Sequence, residues 1–419
     1  MDELSFNGKL LHTDYAKPDA YNALSMPVYN SAAYEFESAE QMESAFTGKT
    51  PEFAYSRISN PTVQYFEDRV KTITGAYSVT ALNSGMAAIS NAIITLAHSG
   101  CNIVTSRHLF GNTYSFFTAT MATFGVETRF CDLTSPDQVD AAIDKNTCAV
   151  FLEIITNPQM EVADLKKISA ICTQKNVPLI ADTTIIPFCA FNAKDFGINI
   201  EIVSSTKYIS GGATSLGGLI MDYGNFNWMS SPKLHGMAKE FGEGAFTAKL
   251  RKEIHRNLGA YMTPQAAYMQ TLGLETLTLR YEKATKTCFE LVKSLKKIHG
   301  VASVNYNGLP ENKYYELSKT QFGDRPGAMF TFDLTSREAC FRFMNKLNIV
   351  KRATNLFDNK SLAIHPASTI FGNFTPEVRN TMHVSDKTIR ISVGLEEMED
   401  LLADFLQALS KGACPLVIN

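Results

Sequence analysis

The stretch from residue 200 to 212 places one lysine, Lys207, just after an apolar, β-branched run of strand length. Two small hydroxyl residues, Ser204 and Thr206, precede it, and a glycine pair follows. Lysines are almost never fully buried without a partner, whereas a lysine in a closed site loses its proton readily and is the usual Schiff-base nucleophile. A solvated lysine at a strand end is the alternative. The neighbouring motifs decide between the two interpretations.

Two further motifs supply groups that suit a cofactor bound to this lysine. Asp182 follows the apolar run 177–181, so its carboxylate and the Lys207 amine are expected on neighbouring strand ends, where the carboxylate can keep a pyridinium nitrogen protonated. The string 83–88 places the hydroxyl of Ser84 and a glycine at the start of a small-residue helix, whose free N–H groups favour a phosphate. Each motif alone could be a simple cap or turn. Together with the lysine they predict pyridoxal phosphate.

The order of apolar segments predicts how these groups come together. Short apolar segments alternate with longer amphipathic ones at 79–82, 102–105, 126–131, 148–155, 178–181, 200–203 and 217–221. This alternation is typical of a mostly parallel sheet covered by helices, and ligands of such α/β sheets bind beyond the carboxyl ends of the strands. Residues 84–86, Asn157, Asp182 and Lys207 fall at those ends. The pattern therefore predicts an active site there.

The rest of the chain is predicted to form an arm and a second domain. Residues 1–60, aromatic and proline-containing from Asp14 to Asn60 with little periodicity, predict an extended arm that contacts a neighbouring subunit. A helix is predicted from Pro61, within a cofactor-binding domain at 61–255. Residues 256–419 predict a smaller α+β domain, and its elements are one long linking helix at 268–298, strands at 302–306, 328–334, 349–353 and 388–393, two intervening helices and a last helix at 396–410.

Composition narrows the class of protein. The 419 residues are 45% hydrophobic and carry a formal net charge of -3, which gives no basic surface for nucleic acid. No apolar run reaches membrane-spanning length, and the first residues lack the features of a signal peptide. Eight cysteines without a CxxC spacing predict a reducing, cytoplasmic location. Eight dispersed histidines predict no metal site.

The chain resembles the pyridoxal-phosphate enzymes of cysteine and methionine metabolism, the trans-sulfuration family. The motifs that carry the resemblance agree in order and spacing from about residue 10 onward, and they are Tyr55 to Thr62, Ser84 to Ala88, Glu153 to Pro158, Asp182 to Thr184, Ser204 to Tyr208, His365 to Thr369 and Arg390 to Gly394. The resemblance implies the aspartate-aminotransferase-type fold, fold type I. It also implies a homotetramer, a dimer of dimers with shared active sites.

The resemblance further implies a role for each matching residue. Lys207 would hold the cofactor as a Schiff base, and we predict Lys207 and Tyr55 as the catalytic residues. The residues expected to contact the cofactor are Tyr55 and Arg57 from the neighbouring subunit, Gly85, Met86, Ser204 and Thr206 at the phosphate, Phe110 stacked on the ring and Asp182 at its nitrogen. The residues expected to bind substrate are Asn157, Asn355 and Arg390, the last through the α-carboxylate.

Within the family, the strings 214–222 and 355–362 look most like O-acetylhomoserine sulfhydrylases, and a serine is usual in the lyases and cystathionine-forming relatives where Asn355 stands. The expected reaction is γ-replacement: Lys207 moves the α- and β-protons, acetate leaves Cγ, and sulfide or methanethiol adds to give homocysteine or methionine. The alternatives are a γ-lyase, a cystathionine γ-synthase-like enzyme and a non-catalytic scaffold that binds the cofactor.

Three positions depart from the family pattern. Phe110 stands where a tyrosine is common, and it can stack on a ring but cannot transfer a proton. Loss of this phenol is expected to hinder γ-elimination more than displacement of acetate, and Tyr114 or Tyr55 could compensate. Thr183 replaces a common asparagine, and Ala213 stands where a histidine often follows the glycine pair.

Overall fold

A computed structural model describes residues 4–15 and 19–410 of the chain. Pro18 of the predicted arm and Cys414 lie outside the described residues. A seven-stranded sheet forms the larger part of the fold, and its strands are β1 (Ser78–Leu82), β2 (Asn102–Thr105), β3 (Glu127–Phe130), β4 (Thr147–Glu153), β5 (Leu179–Asp182), β6 (Ile200–Val203) and β7 (Gly218–Asp222). All seven predicted strands are confirmed to within two residues.

The strand order of this sheet is β1-β7-β6-β5-β4-β2-β3, and only β7 runs antiparallel to its neighbours. The predicted α/β class with a mostly parallel sheet is therefore confirmed. The parallel register aligns Glu153 at the end of β4 with Asp182 at the end of β5. Asp182 in turn aligns with Ile202 of β6, two residues before Ser204. These polar strand ends consequently meet at one edge of the sheet.

Helices cover both faces of the large sheet and pack around the second one. They are α1 (Phe6–Leu11), α2 (Ala39–Phe46), α3 (Pro61–Thr74), α4 (Gly85–Leu96), α5 (Gly111–Ser115), α6 (Pro136–Ala142), α7 (Leu165–Lys175), α8 (His235–Phe241), α9 (Ala245–Lys249), α10 (Arg256–Leu258), α11 (Pro264–Glu275), α12 (Leu277–Leu295), α13 (Tyr315–Phe322), α14 (Arg337–Lys346), α15 (Pro376–Thr381) and α16 (Met398–Leu409). None of the helices in the described ranges has the length and apolar character needed to cross a bilayer.

Burial on both faces explains why the central strands read as unbroken apolar runs. Ile180 of β5 packs into one hydrophobic cluster with Ile93 of α4, while its neighbour Leu179 packs into another with Ile168 of α7. Both strand residues are fully buried. The sheet is thereby held rigidly between two helical layers, which fixes the positions of its strand ends.

The second sheet is mostly antiparallel, as the alternation in its sequence indicates. Its order is β10-β11-β12-β9-β8, and its strands are β8 (Ser303–Asn305), β9 (Met329–Asp333), β10 (Lys351–Arg352), β11 (Leu362–Ile364) and β12 (Thr388–Ser392). The sequence prediction missed β11, because three residues are too short a run to show a period. Helix α15 was also missed.

The prediction of one long helix at 268–298 is wrong. The chain forms α11 and α12 instead, with a break at Thr276. Arg280 explains the break, because its Nη2 donates to the carbonyl oxygen of Gly273 at 2.5 Å and its Nε donates to Thr276 Oγ1 at 3.0 Å. The side chain thereby takes the place of a backbone N–H at the end of α11.

The N-terminal arm is partly regular, contrary to the expectation of an extended segment. Helices α1 and α2 begin after Ser5 and Ser38, whose hydroxyl oxygens accept hydrogen bonds from the first-turn amides. The arm also binds its own chain, since the Tyr29 amide donates to Thr62 Oγ1 at 2.9 Å. Contact with a neighbouring subunit and the boundaries 1–60, 61–255 and 256–419 remain predictions.

Candidate active site

A cavity of about 540 Å³ lies at the carboxyl ends of β4, β5 and β6. The sequence-predicted site residues that line it are Gly85, Met86, Phe110, Asn157, Asp182, Ser204, Thr206, Lys207 and Arg390. The large sheet and its loops contribute all of these except Arg390, which comes from β12 of the second sheet. The cavity is therefore built where the two sheets meet.

Lys207 is held in the cavity by a side-chain amide from the segment between β10 and β11 of the second sheet. Its Nζ donates to Asn355 Oδ1 at 2.8 Å. Burial lowers the pKa of Lys207 to about 8, and the positive charge of Arg390 acts in the same direction. An amine with this pKa is partly unprotonated near neutral pH, as a Schiff-base nucleophile or a proton acceptor must be. The solvated lysine considered as an alternative is excluded.

Asp182 is a buried carboxyl whose orientation is fixed by Thr184. Asp182 Oδ1 accepts hydrogen bonds from the Thr184 amide at 2.9 Å and from Thr184 Oγ1 at 2.5 Å. The same hydroxyl oxygen accepts from the Ser204 amide at 2.9 Å, which connects β5 to the segment that carries Lys207. Burial raises the pKa of Asp182, and the Thr184 bonds oppose that shift. Sequence reasoning missed Thr184, although its position two residues after an aspartate is a common turn signal.

Glu153 is a second buried carboxyl in the cavity, and sequence reasoning gave it no role. It lies opposite Asp182 in the sheet register, and its Oε1 accepts a hydrogen bond from the Phe110 amide at 2.7 Å. Burial, followed by the nearby charge of Asp182, raises the pKa of Glu153 to about 8. Of two neighbouring carboxyls in a low-dielectric site, one stays protonated. Glu153 is consequently neutral at pH 7 and fixes the backbone that carries the Phe110 ring.

We expect a Glu153→Gln variant to lose part of the pH dependence of stability. A carboxyl with a raised pKa in the folded state contributes stability that is fully present below its ordinary pKa of 4.5 and is lost as the pH rises through about 8. The free energy of unfolding of the wild type should therefore fall, relative to Glu153→Gln, by up to about 1.4 kcal/mol per pH unit across that window. Denaturant titrations of the cofactor-free protein from pH 5 to about 8 measure this difference. The exposed Glu316→Gln is the control, and parallel pH profiles for wild type and Glu153→Gln would exclude the effect.

The start of α4 has the features of a phosphate site. The Gly85 and Met86 amides precede the first intrahelical bond, which runs from the Ala88 amide to the Ser84 carbonyl at 3.0 Å, so they have no partner within the helix. A Cβ on Gly85 would lie 2.7 Å from Ser204 Cβ, so only glycine permits this approach. Thr206 lines the same cavity, and its Oγ1 accepts from the Gly217 amide at 3.0 Å and donates to the Gly217 carbonyl oxygen at 3.2 Å. The free amides of Gly85 and Met86 fit the phosphate of the predicted cofactor.

Arg390 is a buried cation at the opposite end of the cavity, with 3% of its surface exposed. Its Nη1 donates to Asn157 Oδ1 and its Nη2 to the Asn355 carbonyl oxygen, both at 3.1 Å. Burial lowers the pKa of Arg390 to about 9, so it remains charged near neutral pH. Across the described residues no carboxylate pairs with it, and its buried Nε has no hydrogen-bond partner. The site therefore suits an anionic ligand such as a carboxylate.

Tyr55 and Arg57 do not reach the cavity of their own chain. Tyr55 is 42% exposed, and the Arg57 guanidinium lies 5.4 Å from the centre of its ring. Arg57 also donates through Nη1 to the Arg256 carbonyl oxygen at 2.5 Å and lines a separate cavity of about 320 Å³. Their predicted contact with a neighbouring subunit's cofactor is untested by a single chain and stays a prediction.

Thr183 and Ala213, the two other departures from the family pattern, lie beside the site. Thr183 is fully buried and donates to Glu201 Oε1 at 2.5 Å, and the same carboxyl accepts a bond from Tyr223. Burial raises the pKa of Glu201 to about 7. Thr183 therefore supplies a hydrogen bond to the buried Glu201 carboxyl. Ala213 adopts a left-handed backbone conformation with φ of 55° in an exposed turn.

Comparison with known proteins agrees with this geometry. Residues 7–410 match the family described as Cys/Met metabolism PLP-dependent enzymes. O-acetyl-L-homoserine sulfhydrylase 1 of Thermus thermophilus is 34% identical, with 97% of this chain and 100% of the relative covered. A solved Campylobacter jejuni protein named as an O-acetylhomoserine (thiol)-lyase contains N′-pyridoxyl-lysine-5′-monophosphate. It is 32% identical, has a TM-score of 0.91 and is matched over 97% of this chain and 100% of the other. A solved O-acetylhomoserine sulfhydrylase of Wolinella succinogenes is 44% identical with a TM-score of 0.75, over 84% of this chain and 99% of the other.

The family match extends over nearly the whole described chain, and the relatives are matched from end to end. The family is the one that the sequence motifs indicate, and the cavity holds a buried lysine and a buried acid beside a helix start with free amides. The chain therefore belongs to the Cys/Met metabolism PLP-dependent enzymes.

Proposed function

We propose that the protein catalyses γ-replacement on O-acetylhomoserine, with sulfide or methanethiol as the second substrate. The products are homocysteine or methionine, together with acetate. The observation that carries the proposal is the placement of a buried Arg390, with no carboxylate partner among the described residues, in the same cavity as the partly unprotonated Lys207. Relatives named O-acetylhomoserine sulfhydrylase and homocysteine synthase support the choice of reaction.

Each residue of the cavity has a defined task in this proposal. Pyridoxal phosphate supplies an electron sink when bound at the strand ends. Arg390 binds the α-carboxylate of the amino acid, and Asn157 orients the guanidinium through its 3.1 Å hydrogen bond. Lys207 removes the proton at Cα and then moves a proton at Cβ, while Asn355 holds its amine in place. Acetate then leaves Cγ, and the thiol takes its position.

The absence of a phenol at Phe110 favours replacement over elimination. Elimination to a 2-oxo acid needs additional proton transfers, for which this ring has no group. Tyr114, named above as a possible substitute, stacks on Phe130 with ring centres 5.4 Å apart and also packs against Phe374. It lies in a hydrophobic cluster beside the cavity rather than in its lining.

We expect Phe110→Tyr to shift the product ratio towards 2-oxobutyrate by several-fold. The new hydroxyl can donate or accept a proton at the leaving side of the substrate, which elimination uses more than replacement does. The measurement is the ratio of 2-oxobutyrate to homocysteine from O-acetylhomoserine at fixed sulfide. The control is Phe116→Tyr, which adds the same hydroxyl outside the cavity. An unchanged ratio in Phe110→Tyr would show that the phenol does not decide between the two reactions.

Product analysis tests the proposed reaction itself. The purified protein is incubated with pyridoxal phosphate and O-acetylhomoserine, with and without sulfide. Homocysteine formed only with sulfide is the expected result. Dominant 2-oxobutyrate under both conditions would replace the proposal with a γ-lyase, and cystathionine formed from added cysteine would indicate a cystathionine γ-synthase-like enzyme. A bound cofactor whose absorption does not respond to any amino acid would indicate a scaffold.

We also propose a homotetramer, built as a dimer of dimers with shared active sites, that works in the cytoplasm. Exposed Tyr55 in the arm supports the shared site, since its side chain is free to reach another chain. All the cysteines in the described ranges are free thiols, which supports a reducing compartment. Light scattering coupled to size-exclusion chromatography measures the mass in solution. A monomeric active protein would contradict the shared site.

A further inference from the structure

Two histidines and a glutamate that are far apart in the sequence converge beside the active site. His108 lies between β2 and α5, Glu161 between β4 and α7, and His383 between α15 and β12. One ligand atom from each of the three side chains lies within 4.8 Å of the other two. His108 Nδ1 is 2.5 Å from Glu161 Oε2, and the two imidazole ring centres are 4.7 Å apart. Three separate segments thus bring three donors to one point.

The donor set has the chemistry of a zinc site. Imidazole nitrogen and carboxylate oxygen are ordinary zinc ligands, and two histidines with one glutamate leave a fourth position for water. His108 and Glu161 are largely buried, with side-chain exposures of 13% and 16%, while His383 is exposed. An ion can therefore enter from the His383 side and be held against two fixed ligands.

The hydrogen bond between His108 and Glu161 accounts for only two of the three converging residues. In the described part of the chain, the His383 side chain makes no hydrogen bond, yet it faces the His108 ring. Its backbone has φ of 54°, a left-handed conformation that is uncommon for a non-glycine residue. Lys313 lies near Glu161, and its positive charge opposes the binding of a cation. The affinity for the metal ion must therefore come from the three ligand atoms themselves.

Although the dispersed histidines predicted no metal site from the sequence, we propose that His108, Glu161 and His383 form a binding site for a divalent, zinc-type metal ion. The bound ion would join the turn before β12 to the two loops that carry Phe110 and Asn157. Arg390 lies on β12 itself. The ion would consequently fasten together the segments from the two sheets that form the cavity. This site is separate from the lysine cavity and does not depend on the proposed reaction.

Calorimetric titration of zinc chloride into the holoenzyme, after removal of unbound cofactor, tests the site. The wild type is expected to bind one zinc ion per chain. His383→Ala should weaken binding by more than about tenfold, because even residues that only orient metal ligands are worth 10- to 100-fold. His383 is exposed, so its replacement should leave the fold intact. The control is His299→Ala, which removes an exposed histidine elsewhere and should bind zinc as the wild type does.

Cobalt(II) provides an independent measurement. The wild type should develop the visible absorption bands of four-coordinate cobalt, and both His383→Ala and Glu161→Gln should lose them while His299→Ala keeps them. Retention of zinc affinity and of the cobalt bands in His383→Ala would overturn the proposal. So would the absence of saturable zinc binding to the wild type, which would leave His108 and Glu161 as a hydrogen-bonded pair only.

Discussion

Replacement of Lys207 by alanine is expected to abolish turnover of O-acetylhomoserine. The amine is the only group in the proposal that both attaches the cofactor and moves protons between Cα and Cβ. Loss of a general acid–base alone lowers rates by about 10² to 10⁴-fold, and loss of the covalent attachment adds to this. The measurement is kcat with sulfide present and pyridoxal phosphate in excess, so that weaker cofactor binding does not limit the rate.

The fold should tolerate this change. Lys207 is buried at a cost, since burial lowers its pKa to about 8, and removing it leaves only Asn355 Oδ1 without this donor. Thermal unfolding of Lys207→Ala should therefore resemble that of the wild type. Lys297→Ala, which removes an exposed lysine, serves as the control for activity and expression. Turnover within about tenfold of the wild type would exclude Lys207 as the catalytic base.

Replacement of Arg390 by lysine is expected to lower kcat/KM for the amino acid by about 10²- to 10³-fold. The planar guanidinium can offer a carboxylate two parallel hydrogen bonds, and hydrogen bonds to charged groups contribute about 1.5 to 3 kcal/mol each. A lysine presents a point charge and leaves Asn157 Oδ1 or the Asn355 carbonyl without its present donor. Steady-state kinetics with O-acetylhomoserine as the varied substrate measure the effect.

Two comparisons separate lost substrate binding from general damage in Arg390→Lys. The cofactor absorption of the variant should match the wild type, since the phosphate end of the cavity lies on α4. Arg352→Lys changes an exposed arginine in the same sheet and should leave kcat/KM unaltered. An unchanged KM for O-acetylhomoserine in Arg390→Lys would show that the α-carboxylate binds elsewhere.

The sequence predicted the large sheet well because its central strands are buried on both faces. Residues such as Leu179 and Ile180 of β5 must be apolar whichever helical layer they meet, so the strand appears as a continuous run. A polar residue directly after such a run then marks the strand end, which is how Asp182 was found. Lys207 was found in the same way, four residues beyond the end of β6.

The contacts between strand ends could not be predicted because they depend on register. Glu153 has a raised pKa because the fold buries it and the sheet register places it beside Asp182, while the Phe110 amide from another loop opposes that shift. Arg390 illustrates the same limit. Its place in a short strand gives no sign of burial, and only the family resemblance indicated its role. The meeting of His108 with His383 likewise requires the packing of the second sheet against the first.

Mapping the cofactor attachment gives the most direct test of Lys207 as the active-site lysine. The holoenzyme is reduced with borohydride, digested and analysed by mass spectrometry for a phosphopyridoxyl-labelled peptide. The label is expected on Lys207, in stoichiometric yield, and addition of O-acetylhomoserine before reduction should remove it from the protein. A label on another lysine, or a label on Lys207 that substrate does not displace, would contradict the assignment of this cavity as the catalytic centre.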